Sequence, residues 1–466
     1  MPEVRIYNQG GVNLFINPLL KDQTEPLRAF NVDTYPYGAK TKRPGYVTFL
    51  GTADGSTVNS LFSWQRANGT EVYIYRASGT ALWVSYQGTG TWTAAGEITS
   101  ASHVQHAVLD DKLFIADGGT VKFSTTGTSF VAGTLAPAAI DVVEYQNRIY
   151  AAGTASTLFY SSAGDGTNWN TSGTSDSSSF TIPGEGKLLR AVKVSDRLVT
   201  VKNSGVMHKW DGYQLSDMAN SQGPTSPYSL AEENGYYFWL NYEGIYGFGG
   251  NRPELISNPI QPQFYNNSGS AMLGSLFSTT QAEIHKHNYY VYQGTVTDDI
   301  TYDTIKDSIA KYDIVKNQYT NYQFYNTPNA MHSYTDTSGV RNFIFSSGNQ
   351  CYKLSGTALS DNGNAIPVNL LYQISTDLPE YEKEFKEIDL FFNPGNQANV
   401  AYAVGNTFNP NSLKWKEIGD CSQGHISYRF PTGTRGRLMF IRIYESSTNS
   451  QFKFYGMTID YDFVKR

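Results

Sequence analysis

Apolar and polar positions along this chain fall into short alternating runs that break at turns. The stretch from Leu61, LFSWQRANGTEVYIYRASGTALWVSY, shows the unit: a strand, a polar turn, an aromatic or β-branched strand, a glycine turn and a third strand. Alternation with period two over runs of this length predicts strands that bury one face. The unit returns as AVLDDKLFIADGGTVKFS from Ala107, VVEYQNRIYAAGTASTLFYSS from Val142 and AVKVSDRLVTVKNSGVMHKW from Ala191. It returns again as LAEENGYYFWLNYEGIYGF from Leu230 and as EIHKHNYYVYQG from Glu283, which continues after an insertion as IAKYDIVKNQYTNYQF. The last copy is SYTDTSGVRNFIFSSGNQCYKLSG from Ser333.

The central strands of these units begin near Val72, Leu113, Ile149, Leu198, Tyr237, Tyr290 and Phe343, at steps of 41, 36, 49, 39, 53 and 53 residues. Propeller blades recur at roughly 40–50 residues per four-stranded sheet. One small sheet cannot bury both of its faces, whereas sheets stacked radially share a continuous core. The pattern therefore predicts an all-β fold, a β-propeller of six or seven blades over residues 51–372. Only TTQAEIHKH and YDTIKDSIAKYD have helix-friendly composition, and the second sits in an insertion that also suits a hairpin of a longer blade.

Two regions lie outside the repeat. Residues 1–50 form an extended N-terminal segment, with Pro18, Pro26, Pro36 and Pro44 spaced too closely for a helix. Residues 373–466 carry a separate strand series, including KEFKEIDLFFNP, NVAYAVG and RGRLMFIRIYES, that predicts a C-terminal β-sandwich or platform. Its final strand is a candidate to close the ring by pairing with an early one.

Composition agrees with strands joined by tight turns: 34 Tyr, 25 Phe and 43 Gly accompany only 16% charged residues. The net charge is −6, and the longest basic cluster is KTKR, Lys40 to Arg43. A protein that grips nucleic acid by its phosphates carries a basic face, so tight DNA binding is not expected. Cys351 and Cys421 are too few for a disulfide framework and read as reduced thiols. The start MPEVRIYNQGG lacks the pattern of a signal peptide, and no apolar run approaches the roughly 20 residues of a membrane helix. Synthesis and folding in a cytoplasm are the expectation.

Candidate chemistry is sparse. YSSAGDGTNWN, Tyr160 to Asn170, resembles the Asp-box of sialidase-type propellers, but Ser162 precedes Asp165 by three positions and Gly166 follows it directly. The off-register motif reads as a side-chain-capped turn over a packed Trp169. The acid pairs Asp110–Asp111 and Asp298–Asp299 are adjacent, so on a strand they point to opposite faces and do not form a glycosidase pair. His285 and His287 share a face at strand spacing and, with Glu283 or Asp298, are candidate zinc ligands without a second ligand pair. Cys421 and His425 invite a dyad reading but lack an orienting partner. Tyr289, Tyr290 and Tyr292 suit sugar stacking or a blade core. A single Trp-Asp pair in KWDG, Lys209 to Gly212, does not make a WD40 repeat. No catalytic, cofactor-binding or metal-binding residue is predicted; the chain is read as a non-enzyme without a cofactor.

The flanking regions carry a resemblance. Gly10–Gly11, Asn17–Pro18, Asn31–Val32 and Arg43–Pro44–Gly45 are similar to the opening of tail proteins from tailed bacteriophages. LFYSSAGDGTNWNTSGTSDSSSFTIPGEGKLLRAVKVSDRLVTVKNSGVMHKWDG and the C-terminal FPTGTRGRLMFIRIYESS…FKFYGMTIDYD resemble the same family, which includes the tail nozzle, or packaged-DNA stabilisation protein (tail tubular protein B), of short-tailed phages. The insertion around 295–308 departs from it. The resemblance implies a structural virion protein, made in the host cytoplasm, that forms a ring with itself, usually six-fold, below the portal and adaptor. That ring retains packaged double-stranded DNA and later lets it pass without specific binding. The competing expectation is a carbohydrate-binding propeller, such as a receptor-binding or depolymerase-like tail protein.

Overall fold

The computed structural model describes residues 2–7, 9–14, 22–34, 38–99, 103–172, 175–218, 221–264, 280–297, 304–375, 380–407 and 409–464. Among them the chain is all β, with helical residues confined to short 3-10 turns such as Pro227–Ser229. Both helix-friendly segments are strands, Ala282–His285 and Thr304–Asp313. The second is paired along its length with Asn288–Thr297 and, from Ser308 to Asp313, also with Gln318–Gln323, which commits its backbone to the sheet whatever its propensity.

Seven four-stranded antiparallel meanders follow one another. Blades 1 to 5 cover residues 58–97, 105–132, 139–181, 188–217 and 231–255, blade 6 covers 282–323, and blade 7 covers 330–355 plus an early strand, Gly45–Thr48. Six are separate four-stranded sheets; blade 6 instead runs on into a nine-stranded sheet. Each central strand expected from the repeat lies in the second strand of its blade. First strands meet first strands: 105–109 against 139–145, 139–145 against 188–194, 282–285 against both 231–233 and 330–335, and 330–335 against 58–65. Blades 1 and 2 share a buried core of Phe62, Tyr75, Leu113 and Ile115, and blades 4 and 5 one of Val192, Val199, Tyr237 and Trp239, so the blades form a ring around a common axis. The first hairpins of blades 2, 3, 5 and 6 use two-residue turns with both φ positive, at Asp110–Asp111, Gln146–Asn147, Asn234–Gly235 and Lys286–His287. Such turns match the twist of the flanking strands.

The ring is closed by Gly45–Thr48, paired antiparallel to Gln350–Ser355 with Tyr46 opposite Leu354. Tyr46 is fully buried and meets Phe345, Tyr352 and Phe324 edge-on at 4.9, 5.1 and 5.6 Å between centroids. Gly45 is required there, because an added Cβ would stand 2.1 Å from the Ser360 carbonyl oxygen. The C-terminal strand Lys453–Phe463 does pair with early strands, Glu3–Ile6 and Lys40–Lys42, but in the sandwich and not in the ring. The closing position of blade 7 is already filled.

The sandwich grows out of blade 6. Arg28–Phe30 lies parallel to Gln318–Gln323 and antiparallel to Val368–Ile374, so it bridges the blade to the strands Leu438–Glu445, Asn399–Gly405 and Lys416–Asp420. A seven-stranded sheet built on Lys383–Phe392 and Lys453–Phe463 covers it, with Tyr372 against Phe454 at 6.0 Å and Tyr402 against Tyr428 at 5.9 Å. Residue 372 falls inside Val368–Ile374, and the first 50 residues contribute strands to both sheets and to blade 7.

Candidate functional site on the propeller axis

The first strands of the blades bring together side chains far apart in sequence. Around one end of the axis stand Phe62 from blade 1, His106 from blade 2, Arg190 from blade 4, Glu283 from blade 6 and His332 from blade 7, lining a cavity of ≈ 220 Å³. His332 lies with Nε2 2.8 Å from the Ser63 hydroxyl and Nδ1 3.4 Å from Glu283 Oε2. His103 bonds the Gln281 amide at 3.0 Å and lies over Tyr228. His106 stacks on Phe62 at 5.0 Å. Burial pushes the His103 imidazole down to about 4; burial, with His332 and Arg190 nearby, pushes His106 down to about 3. Both rings are therefore neutral near pH 7.

Arg190 is already committed. Its Nε donates to Asp141 Oδ2 at 2.9 Å and Nη1 to the Pro227 carbonyl at 2.8 Å. Asp141 also accepts from the backbone N–H of Ala191 and Val142 at 2.8 and 3.0 Å. Burial raises its carboxyl despite the arginine. The pair ties blade 3 to blade 4.

Ser63, His332 and Glu283 follow the nucleophile–base–acid order of serine hydrolases. The relay also requires donors aimed at a developing oxyanion, usually backbone N–H groups at a turn or helix start. Ser63 instead sits within an extended strand, Val58–Gln65, in register with Ile74 of the next. The imidazole–carboxylate distance is that of a loose ion pair. As arranged, these side chains line and order this end of the axis.

The residues singled out in the sequence lie elsewhere. Asp165 Oδ1 accepts from the Thr167 N–H at 3.0 Å and hydroxyl at 2.6 Å, and Trp169 packs at 5% exposure with Phe114 and Ile149 between blades 2 and 3. Asp111 receives Arg66 Nε at 2.8 Å and the Ala67 N–H at 2.9 Å, joining the hairpins of blades 1 and 2. Asp298 and Asp299 lie outside the described residues. His285 and His287 do not share a strand face, because Lys286 and His287 form the turn. His285 meets the Ser333 hydroxyl at 3.0 Å, with burial and the nearby Lys286 and Arg341 pushing it down to about 3; His287 pairs with Glu233 at 3.1 Å. No group of three His, Cys, Asp or Glu that could hold a metal ion occurs among the described residues.

Cys421 is fully buried with its thiol pushed up to about 12, whereas His425 is exposed and bonds Asp389 at 3.1 Å. They form no dyad. Tyr289 and Tyr290 are buried, the former donating to the Ser229 carbonyl at 2.6 Å, and Tyr292 donates to Asp307 at 2.8 Å. The basic cluster is buried too. Lys40 is fully enclosed, with Nζ donating to the Gly10 carbonyl at 2.5 Å and Thr34 Oγ1 at 2.6 Å; Lys42 pairs with Glu445 at 3.1 Å and Arg43 with Asp361. The axial grouping of His106, Arg190, Glu283 and His332 is the arrangement that sequence reasoning missed, since four blades supply it.

A family model described as the DUF6242 beta propeller domain matches residues 65–186, less than half of the chain. No curated protein matches. Among solved structures, the chain is similar to the extracellular domain of a one-component system from B. thetaiotaomicron, at 11% identity and a TM-score of 0.45, covering 85% of this chain. It spans only 58% of that domain. It is also similar to YCF48 from Cyanidioschyzon merolae, at 9% identity and a TM-score of 0.43, over 66% of this chain and 98% of that one. A third is BamB from Moraxella catarrhalis, at 11% identity and a TM-score of 0.38, over 76% and 98%. At these values nothing about ligand or partner transfers to this chain.

Proposed function

We propose that this protein is a structural subunit of a bacteriophage tail, acting without an active site in a ring of the nozzle kind that retains and then conducts packaged DNA. The observation that carries the reading is where the residues behind the resemblance lie. Gly11 packs so closely that an added Cβ would stand 2.7 Å from the Tyr319 backbone nitrogen. Asn31 Oδ1 accepts from Arg43 Nε and from the Gln323 N–H, both at 2.8 Å, while its amide donates to the Pro367 carbonyl at 2.7 Å. Gly45 enters blade 7, and Trp169 wedges between blades 2 and 3. A likeness resting on such joints is a likeness of architecture, and it favours a scaffold over a catalyst.

Charge supports the same reading. Lys42 and Arg43 spend their charge on buried acids and burial pushes the Lys40 ammonium down to about 7, so the longest basic run offers no surface to phosphate. The axial cavity of a single subunit, ≈ 220 Å³, is far too small for a duplex, so in this proposal the conduit lies between subunits. Purified protein added to portal-bearing, tail-less particles and viewed by electron microscopy tests the assignment. A ring at the portal vertex is expected, and particles left bare would refute it.

A further inference from the structure

A sizeable cleft lies away from the axis, on the outer flank between blades 2 and 3. It encloses ≈ 500 Å³ and is lined by Leu135, Pro137 and Ala138 from blade 2's exit loop and, from blade 3, by Gly153, Thr154, Ala155, Thr157, Phe159, Tyr160, Trp169, Thr171, Ser178 and Ser179. Among the described residues, no Asp, Glu, Lys, Arg or His lines it. Phe159, Tyr160 and Trp169 supply aromatic surface, and Thr154, Thr157, Thr171, Ser178 and Ser179 supply five side-chain hydroxyls.

Among the described residues, the buried Trp169 indole N–H has no acceptor. Small residues make the depth: Gly153 is buried at the back, and a Cβ there would stand 2.9 Å from the Phe159 ring. The walls are held from behind, since Trp169 packs with the core between blades and Arg148 braces the Tyr160 ring at 5.3 Å. The cleft is therefore formed before any ligand arrives.

We propose that this cleft binds one or two units of a neutral saccharide. A sugar ring presents C–H faces that pack on aromatic side chains and a perimeter of hydroxyls that exchange hydrogen bonds with Ser and Thr. The volume falls within the roughly 300–1,000 Å³ of small-ligand sites. The uncharged lining selects against charged sugars, because a carboxylate or ammonium brought there would lose water without gaining a counter-charge. A peptide side chain would use the aromatic floor but leave the hydroxyl rim unanswered. The site is independent of the tail reading, which rests on the joints and not on this flank.

The test is saturation-transfer NMR with glucose, galactose, N-acetylglucosamine and maltose, beside N-acetylneuraminic acid and N-acetyl-leucine amide. Transfer from at least one neutral sugar is expected, with the acid and the leucine amide about tenfold weaker or silent. Ser179→Trp fills the cleft from its exposed edge without touching the core, and should abolish the signal while leaving the melting temperature unchanged. Ala155→Trp, on the opposite rim, gives the same outcome should Ser179→Trp unfold. Silence of every neutral sugar, transfer that survives both substitutions, or a leucine amide signal equal to the sugars' would overturn the proposal.

Discussion

Arg43 holds Asp361 through two hydrogen bonds, Nη1 to Oδ1 at 2.8 Å and Nη2 to Oδ2 at 2.5 Å, across 318 residues of sequence. Arg43 Nε donates to Asn31 Oδ1, and the remaining guanidinium hydrogens go to the Pro44 and Gln323 carbonyls at 3.0 and 2.5 Å. All five donors of the guanidinium are thus used. Asp361 also accepts from the Tyr325 N–H at 3.1 Å. One side chain joins the bridging strand, the end of blade 6 and the segment after blade 7, immediately before the chain enters the ring as Gly45–Thr48.

Both partners are buried, so removing one strands the other's charge. Arg43→Ala should lose about 3–5 kcal/mol in denaturant unfolding. Arg43→Lys should not restore it, because an ammonium cannot reproduce the bidentate fork. The double variant with Asp361→Ala should cost less than the sum of the two single changes. A loss below about 1 kcal/mol for Arg43→Ala would remove the clamp from the account.

Acid should weaken the fold in a defined window. His103, His106 and His285 are neutral in the native state, pushed down to about 4, 3 and 3 by burial, and regain the ordinary value near 6.5 when unfolded. Below pH 6.5 the unfolded chain binds more protons, down to about 4 for His103 and about 3 for His106 and His285, so stability falls as pH falls, by about 1.4 kcal/mol per pH unit for each histidine within its window. Urea midpoints across pH 4–7 measure the slope, and His106→Gln should flatten it. An unchanged slope in that variant would show that His106 is not buried neutral.

Ser63 should be chemically inert. If the axis only orders side chains, a fluorophosphonate probe will leave Ser63 unlabelled and Ser63→Ala will remove no esterase activity. Labelling that disappears in His332→Ala would instead mark a working relay.

Asp165→Ala should cost roughly 0.5–2 kcal/mol, the range for losing a side-chain cap, because both of its bonds to Thr167 are local. Hydrolysis of a sialoside by the parent protein, lost in this variant, would contradict the turn reading.

What the sequence discloses follows from range. The seven central strands are legible because each blade's pattern is complete within a few dozen residues. His285 and His287 look like one strand face until the intervening turn is known, and two-residue turns without glycine are faint signals. Lys40, Lys42 and Arg43 look like a surface run because their partners, Glu445 and Asp361, lie more than 300 residues away. The ring-closing strand is obscure for the same reason: Gly45–Thr48 is short, and its partner Gln350–Ser355 stands at the other end of the propeller. The axial cavity and the flank cleft are assembled from several blades, and no local pattern announces either.

The burial of Lys40, Lys42 and Arg43, the longest basic run, predicts weak contact with DNA. In a gel shift at physiological salt, the free protein should bind duplex no better than non-specifically, weaker than roughly micromolar. Nanomolar binding would contradict a conduit that lets DNA pass.

The most direct measurement is electron cryo-microscopy of purified phage particles whose proteins, by mass spectrometry, include this chain. The account predicts density for the propeller and its sandwich repeated in a ring on the tail axis below the portal, with the blade axes off the DNA path. Its absence from particles, or its density lying anywhere but a tail ring, would contradict the proposed function.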